Sequence, residues 1–175
     1  MIPKIEKLLV FYRERYVGTL MMDPETGCSI FEYSEQWLSD GFSISPIELP
    51  LQKGVFIADM KSFDKGFAIF EDSLPDGYGL LLIDRILRKQ GASLKELTPL
   101  QRLAVIGNSG MGALRYSPVI TGFNRQSEIS DISSLDYFQQ EALKAVNEKD
   151  QCDYGILYYN SGNSGGARPK IMMKM

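Results

Sequence analysis

Near Ser73 the spacing of apolar residues changes from every second position to every third or fourth, and one kind of secondary structure cannot accommodate both. Before that point the chain reads as strands. Residues 8–12 and 16–22 are rich in aliphatic, aromatic and β-branched side chains, and Arg13-Glu14-Arg15 between them is short enough for a hairpin loop. Asp23-Pro24-Glu25-Thr26-Gly27 is turn chemistry, with proline setting φ and glycine open to positive φ. Residues 28–33 alternate side to side and complete a three-stranded meander. Residues 45–51 read as a short edge strand, because Pro46 and Pro50 cannot donate to a central ladder, and residues 66–71 as a further strand.

Beyond Ser73 the pattern predicts helices. Ser73 is placed as an N-cap with Asp76 in the capping-box position; Leu80, Ile83 and Leu87 form one apolar stripe, widened by Leu82 and Ile86, and Gly91 ends the helix. Thr98-Pro99-Leu100-Gln101 is a second start, with an N-cap Thr, Pro at N1 and Gln at N3, and that helix stops at Gly107. Residues 112–116 return to a strand. A third helix is expected over 135–148, with Leu135, Phe138, Ala142 and Val146 on one face, after a polar linker over 121–134. The expected fold is α+β: an N-terminal antiparallel sheet of about five strands with two to three packed helices, then a helix leading into a strand pair.

Composition removes several functions. The chain of 175 residues contains no histidine, which excludes a His general base, a Ser-His-Asp or Cys-His nucleophile and the common His-containing zinc sites. A net charge of −3 opposes direct binding to nucleic acid through its phosphates. Two cysteines, Cys28 and Cys152, are too few for a disulfide scaffold and read as reduced packing residues. No apolar run approaches the roughly 20 residues needed to span a bilayer, and the start lacks the apolar core of a signal peptide, so a cytoplasmic protein is expected.

The segment Asn160-Ser161-Gly162-Asn163-Ser164-Gly165-Gly166-Ala167-Arg168-Pro169-Lys170 is the most informative chemically. Its glycines and serines leave backbone N–H groups able to approach phosphate oxygens. It is not a Walker A loop, since Lys170 is followed by Ile171, and the apolar run after it reads as a strand. A Gly-rich loop between strands is how protein kinases cover ATP phosphates; a plain surface loop is the alternative. The rest of that machinery is absent from these residues: no Asp stands five positions before any of the five asparagines, and neither His-Arg-Asp nor Asp-Phe-Gly occurs. Glu71, Asp72 and Asp76 form an acidic cluster open to a metal, although helix capping explains Asp76 more simply. Arg85, Arg88 and Lys89 read as a solvated helix face.

Four motifs then occur in order: Asp72-Ser73-Leu74-Pro75-Asp76-Gly77-Tyr78-Gly79, Leu97-Thr98-Pro99-Leu100-Gln101-Arg102-Leu103, Gly110-Met111-Gly112-Ala113-Leu114-Arg115-Tyr116 and Gly165-Gly166-Ala167-Arg168-Pro169-Lys170. Together with Val17-Gly18-Thr19-Leu20 and Phe31-Glu32-Tyr33 the set resembles the HipA-type toxin serine/threonine kinases, from about Val17 to Lys170. The resemblance implies an N-terminal β-rich subdomain over 1–122, then over 123–175 a linker, a helix and the start of a kinase-like lobe with its Gly-rich loop. It implies a bacterial toxin–antitoxin pair in which the parent kinase phosphorylates a translation-related protein with ATP and Mg. A small helix-turn-helix antitoxin would restrain it, with operator DNA reached only through that antitoxin. The ATP-contacting loop would be Asn163, Ser164, Gly165, Gly166, Ala167, Arg168 and Lys170. Where many members carry an autophosphorylated serine this chain has Asn163, with Ser161 and Ser164 beside it, so that control is lost or moved.

In the family the downstream ATP lysine, the catalytic Asp and the metal-binding Asp follow the loop. The chain is therefore expected to be catalytically incomplete, to bind no cofactor tightly by itself and to present no catalytic residue. Ile171-Met172-Met173 reads as the start of a buried strand, so the chain is expected to be the N-terminal part of a longer kinase or the short half of a split gene. The alternative function is a free-standing binding protein that masks a separate kinase core.

Overall fold

A computed structural model describes residues 2–75, 77–110, 112–123, 134–147, 152–161, 166, 168 and 169. They fall into two units, one drawn from Ile2–Leu74 and Leu97–Ile120, the other from the described residues of Pro75–Glu96 and Thr121–Met175. The fold is α+β, with a five-stranded antiparallel sheet and, among the described residues, six helices.

The first unit is built on β1 (Lys7–Tyr12), β2 (Arg15–Met22), β3 (Ser29–Tyr33), β4 (Val55–Ile57) and β5 (Leu114–Ser117), in the spatial order β4-β3-β2-β1-β5. The expected meander is present. Arg13 takes the left-handed conformation at the β1–β2 turn (φ 56°), and its N–H donates to the Ala113 carbonyl at 2.9 Å. Gly27, at φ 70°, closes the next turn on the Asp23 carbonyl. Alternation gives the sheet a buried face, with Leu8, Val10, Leu20, Phe31 and Tyr116 all at 1% exposure or less. Against β1, β2 and β5 packs α4 (Pro99–Ile106), burying Leu100, Leu103, Ala104 and Ile106.

The start of α4 matches the sequence pattern in detail. Thr98 accepts the Gln101 N–H and the Gln101 side chain accepts the Thr98 N–H at 2.9 Å, a complete capping box with Pro99 inside it. A short helix absent from the sequence reading, α1 (Glu35–Asp40), is capped by Ser34 and buries Trp37, whose indole N–H donates to the Phe42 carbonyl at 2.9 Å.

Two strand expectations fail here. Residues 45–51 make a single bridge, Ser45 to Leu49, and no ladder; β4 holds the sheet edge instead. With Pro46 and Pro50 lacking donors, the segment is held by the Tyr33 hydroxyl, which donates to the Leu49 carbonyl at 2.6 Å and accepts the Ile44 N–H. Within 66–71 lies α2 (Ala68–Glu71), a helical turn that buries Phe70 and whose first N–H is capped by the Glu48 carboxylate from a distant loop.

In the second unit α3 (Gly77–Lys89) buries Tyr78, Leu82, Ile83, Ile86 and Leu87. It begins three residues later than expected. Ser73 is not its N-cap: the Ser73 hydroxyl accepts from the Tyr116 phenol at 2.6 Å within the first unit, and Asp76 lies outside the described residues. Gly91, at φ 72°, ends the helix as expected. The third expected helix is α5 (Ser134–Val146). Most of the expected linker lies outside the described residues. Residues 154–161, which carry no expectation from the sequence, form α6 (Tyr154–Ser161), because the Asp153 carboxylate accepts the Gly155 and Ile156 N–H groups and starts a helix. No helix among the described residues is long and apolar enough to cross a membrane.

Candidate functional site

Of the loop residues expected to meet ATP phosphates, Asn163, Ser164, Gly165, Ala167 and Lys170 lie outside the described residues. Gly166 has φ 109°, a region open to glycine and costly for any side chain. Its carbonyl accepts the Tyr78 N–H at 3.1 Å. Tyr78 is the second residue of α3, so its N–H has no partner within the helix. Backbone of the Gly-rich segment therefore caps α3. Arg168 and Pro169 are exposed.

The surroundings of Tyr78 are built for packing. Burial, with Cys152 adding to it, pushes the Tyr78 phenol up to about 12, so it stays neutral. Cys152 is buried and its thiol donates to the Glu141 carbonyl at 3.3 Å; burial first, then interaction with the Glu141 carboxylate side chain, push it up to about 12. A thiol so shifted is no nucleophile, in keeping with the packing role expected of it. Burial acts to raise the Glu141 carboxyl, but hydrogen bonds from Lys144 Nζ at 2.6 Å and the Asp153 N–H at 3.2 Å outweigh it and hold it below the usual carboxylate range. Lys89 Nζ donates to the Cys152 carbonyl at 2.9 Å and lies 4.5 Å from the Tyr154 ring centre. Arg88 pairs with Asp84 at 2.8 Å. The helix face expected to be merely solvated thus contributes Lys89 to the junction of α3 with α6.

Of the acidic cluster, Glu71 and Asp72 lie in the first unit and Asp76 lies outside the described residues. No group of three or more acidic or cysteine side chains among the described residues is placed to hold an ion. Asp64 is engaged by Arg102 at 2.8 Å. The Glu71 carboxyl is raised by burial and by the negative charge of Asp64, and the Gly66 N–H only partly offsets this. Beside it is a shallow recess, too small for more than a water-sized group, lined chiefly by Leu20, Phe67, Phe70, Leu74 and Leu103. No Lys or Arg is among the described residues that line it.

Two of the motifs do structural work. The Arg115 guanidinium donates to the carbonyls of Gly110, Gly112 and Leu114, the shortest at 2.7 Å, and folds the turn that enters β5. Tyr116 carries the hydrogen bond to Ser73. Sequence reading did not anticipate the contact from Tyr78 to Gly166; both residues lay inside motifs, yet spacing along the chain carries no signal for a pairing 88 positions apart.

A family model described as HipA N-terminal domain matches residues 8–117, more than half of the chain. The match begins inside β1 and ends with the last residue of β5, so all of the sheet but Lys7 falls within it, as does α4. No curated protein matches the chain.

Proposed function

Because the chain belongs to the HipA N-terminal domain family, we propose that it is the regulatory, antitoxin-contacting region of a HipA-like toxin kinase. The single observation that carries this reading is the family match over 8–117, which takes in all five strands but for Lys7. The parent kinase would phosphorylate a translation-related protein with ATP and Mg, and a helix-turn-helix antitoxin would hold it in check. The residues 163–168 and Lys170 would cover the nucleotide phosphates in that parent. Support for the loop role is the positive φ of Gly166 and the seating of its carbonyl on the first turn of α3. Within these 175 residues neither His-Arg-Asp nor Asp-Phe-Gly occurs, which favours a regulatory rather than a catalytic part. The test is a phosphate-transfer assay with labelled ATP and Mg on the purified chain. The expected result is no transfer at any chain concentration; robust turnover would overturn the regulatory reading.

A further inference from the structure

Three residues other than glycine adopt positive φ among the described residues: Arg13 at 56°, Asp64 at 48° and Lys65 at 54°. A side chain in that region costs free energy, and such strain persists only where something holds it. Contacts within the fold account for two of them: Asp64 pairs with Arg102 at 2.8 Å, and Lys65 Nζ donates to the Thr26 carbonyl at 2.8 Å. Arg13 is different. Its backbone N–H is bonded to Ala113, but its exposed guanidinium makes no hydrogen bond or ion pair among the described residues. The guanidinium lies over the Tyr12 ring, 5.6 Å from the centre, a position that leaves its N–H edge free to meet an anion.

The ring beneath it belongs to an aromatic cluster. Phe42 meets Tyr12 edge-on at 5.1 Å, and both pack on the buried Trp37. Phe42 is 47% exposed and Tyr12 half-buried, so apolar surface borders the guanidinium. The other cation here, Arg15, stacks on Trp37 at 4.8 Å but is already paired with Asp40 at 2.6 Å. Charge settles the class of ligand. Arg13 and Arg15 share the patch with Glu14 and Asp40, two cations against two carboxylates, so it carries no excess positive charge. A nucleic-acid backbone is held by several cations that neutralise successive phosphates. One guanidinium stacked on a ring and bordered by an exposed phenyl group fits instead a single carboxylate with an apolar neighbour.

We propose that Arg13, with Tyr12 and Phe42 beside it, is a docking site for a protein partner's segment that carries one carboxylate next to an aromatic side chain. This goes beyond the regulatory reading and stands or falls separately from it. Trp37 is the only tryptophan in the chain, and its indole N–H donates to the Phe42 carbonyl at 2.9 Å, so a single NMR signal reports on the site. The test is a titration of the isotope-labelled chain with the blocked peptide acetyl-Gly-Glu-Phe-Gly-amide. Expected are saturable shifts of the Trp37 indole and of the Arg13 and Phe42 amides, with an affinity on the order of millimolar for so small a probe. The same peptide with Gln in place of Glu should bind about tenfold more weakly, as should the Glu peptide to the Arg13→Gln variant. Arg13→Gly removes both the guanidinium and the strain, so it should melt at a higher temperature than wild type and fail to bind. Equal shifts with the Gln peptide would overturn the proposal, as would no saturable shift with the Glu peptide. So would a lower melting temperature for Arg13→Gly, which would assign the arginine to the fold, or tighter binding of a short DNA duplex read at the same signals.

Discussion

Gly18 has no side chain because a Cβ there would lie 2.2 Å from the Glu32 carbonyl oxygen of the neighbouring strand. The sequence shows a glycine inside a strand, but only the pairing of β2 with β3 explains it. Tyr116 is similar: its aromatic ring could be read as core, whereas its bond to Ser73, 43 residues away, could not. Removing that hydroxyl in Tyr116→Phe should cost about 1 kcal/mol in urea unfolding, the usual net worth of a hydrogen bond; an unchanged midpoint would show that water replaces Ser73 without loss. Glu71 makes a prediction with a definite sign. Burial and the nearby Asp64, Glu48 and Asp72 charges raise its carboxyl above the ordinary 4.5, so the folded chain holds a proton the unfolded chain has released. Stability at this site is greatest below about pH 4.5 and falls as pH rises from there through the raised value. Glu71→Gln should therefore unfold at a higher temperature than wild type at pH 7 and no differently near pH 4. A lower transition at pH 7 would mean that the ionised carboxylate contributes a favourable contact.

Helices and strands were legible in proportion to how local their determinants are. The α4 helix was readable because its cap, its proline and its apolar stripe all lie within ten residues. Thr98→Ala should cost about 1 kcal/mol by loss of the capping box, and Gln101→Ala should be non-additive with it because both belong to one reciprocal pair. Thermal melts of the two single variants and the double would check this; full additivity would contradict the box. The α2 turn was misread as a strand because its cap, Glu48, comes from 20 residues upstream. The α6 helix was missed because Tyr154, Tyr158 and Tyr159 favour strand by propensity, and tertiary burial of Leu157 and Tyr158 against α3 overrides that preference. Pro46 and Pro50 suggested an edge strand that does not form: the tyrosine that holds the segment belongs to β3, and the edge strand beside β3 is only three residues long.

Across the whole chain, the ordered motifs carried the family and the fold class, and the HipA N-terminal domain match bears them out over residues 8–117. Except at Thr98 and Gln101, whose capping role the pattern itself carries, they did not convey their own roles. Arg115 and Tyr116 serve the entry and anchoring of β5, Thr98 and Gln101 the start of α4, and Gly166 the first turn of α3. Motif recognition reports that these residues belong together; hydrogen-bond geometry reports what each one holds. The chemistry within the described residues is correspondingly structural, with Cys152 protonated, Glu141 satisfied and no Lys or Arg among the described residues that line the recess beside Glu71. The central claim is that this region works by binding an antitoxin. It is tested most directly by isothermal titration of the purified 175-residue chain with the small helix-turn-helix antitoxin proposed as its partner. The account predicts a saturable heat of binding at a fixed stoichiometry, present without ATP. Titration without heat, alongside a chain that circular dichroism shows to be folded, would contradict it.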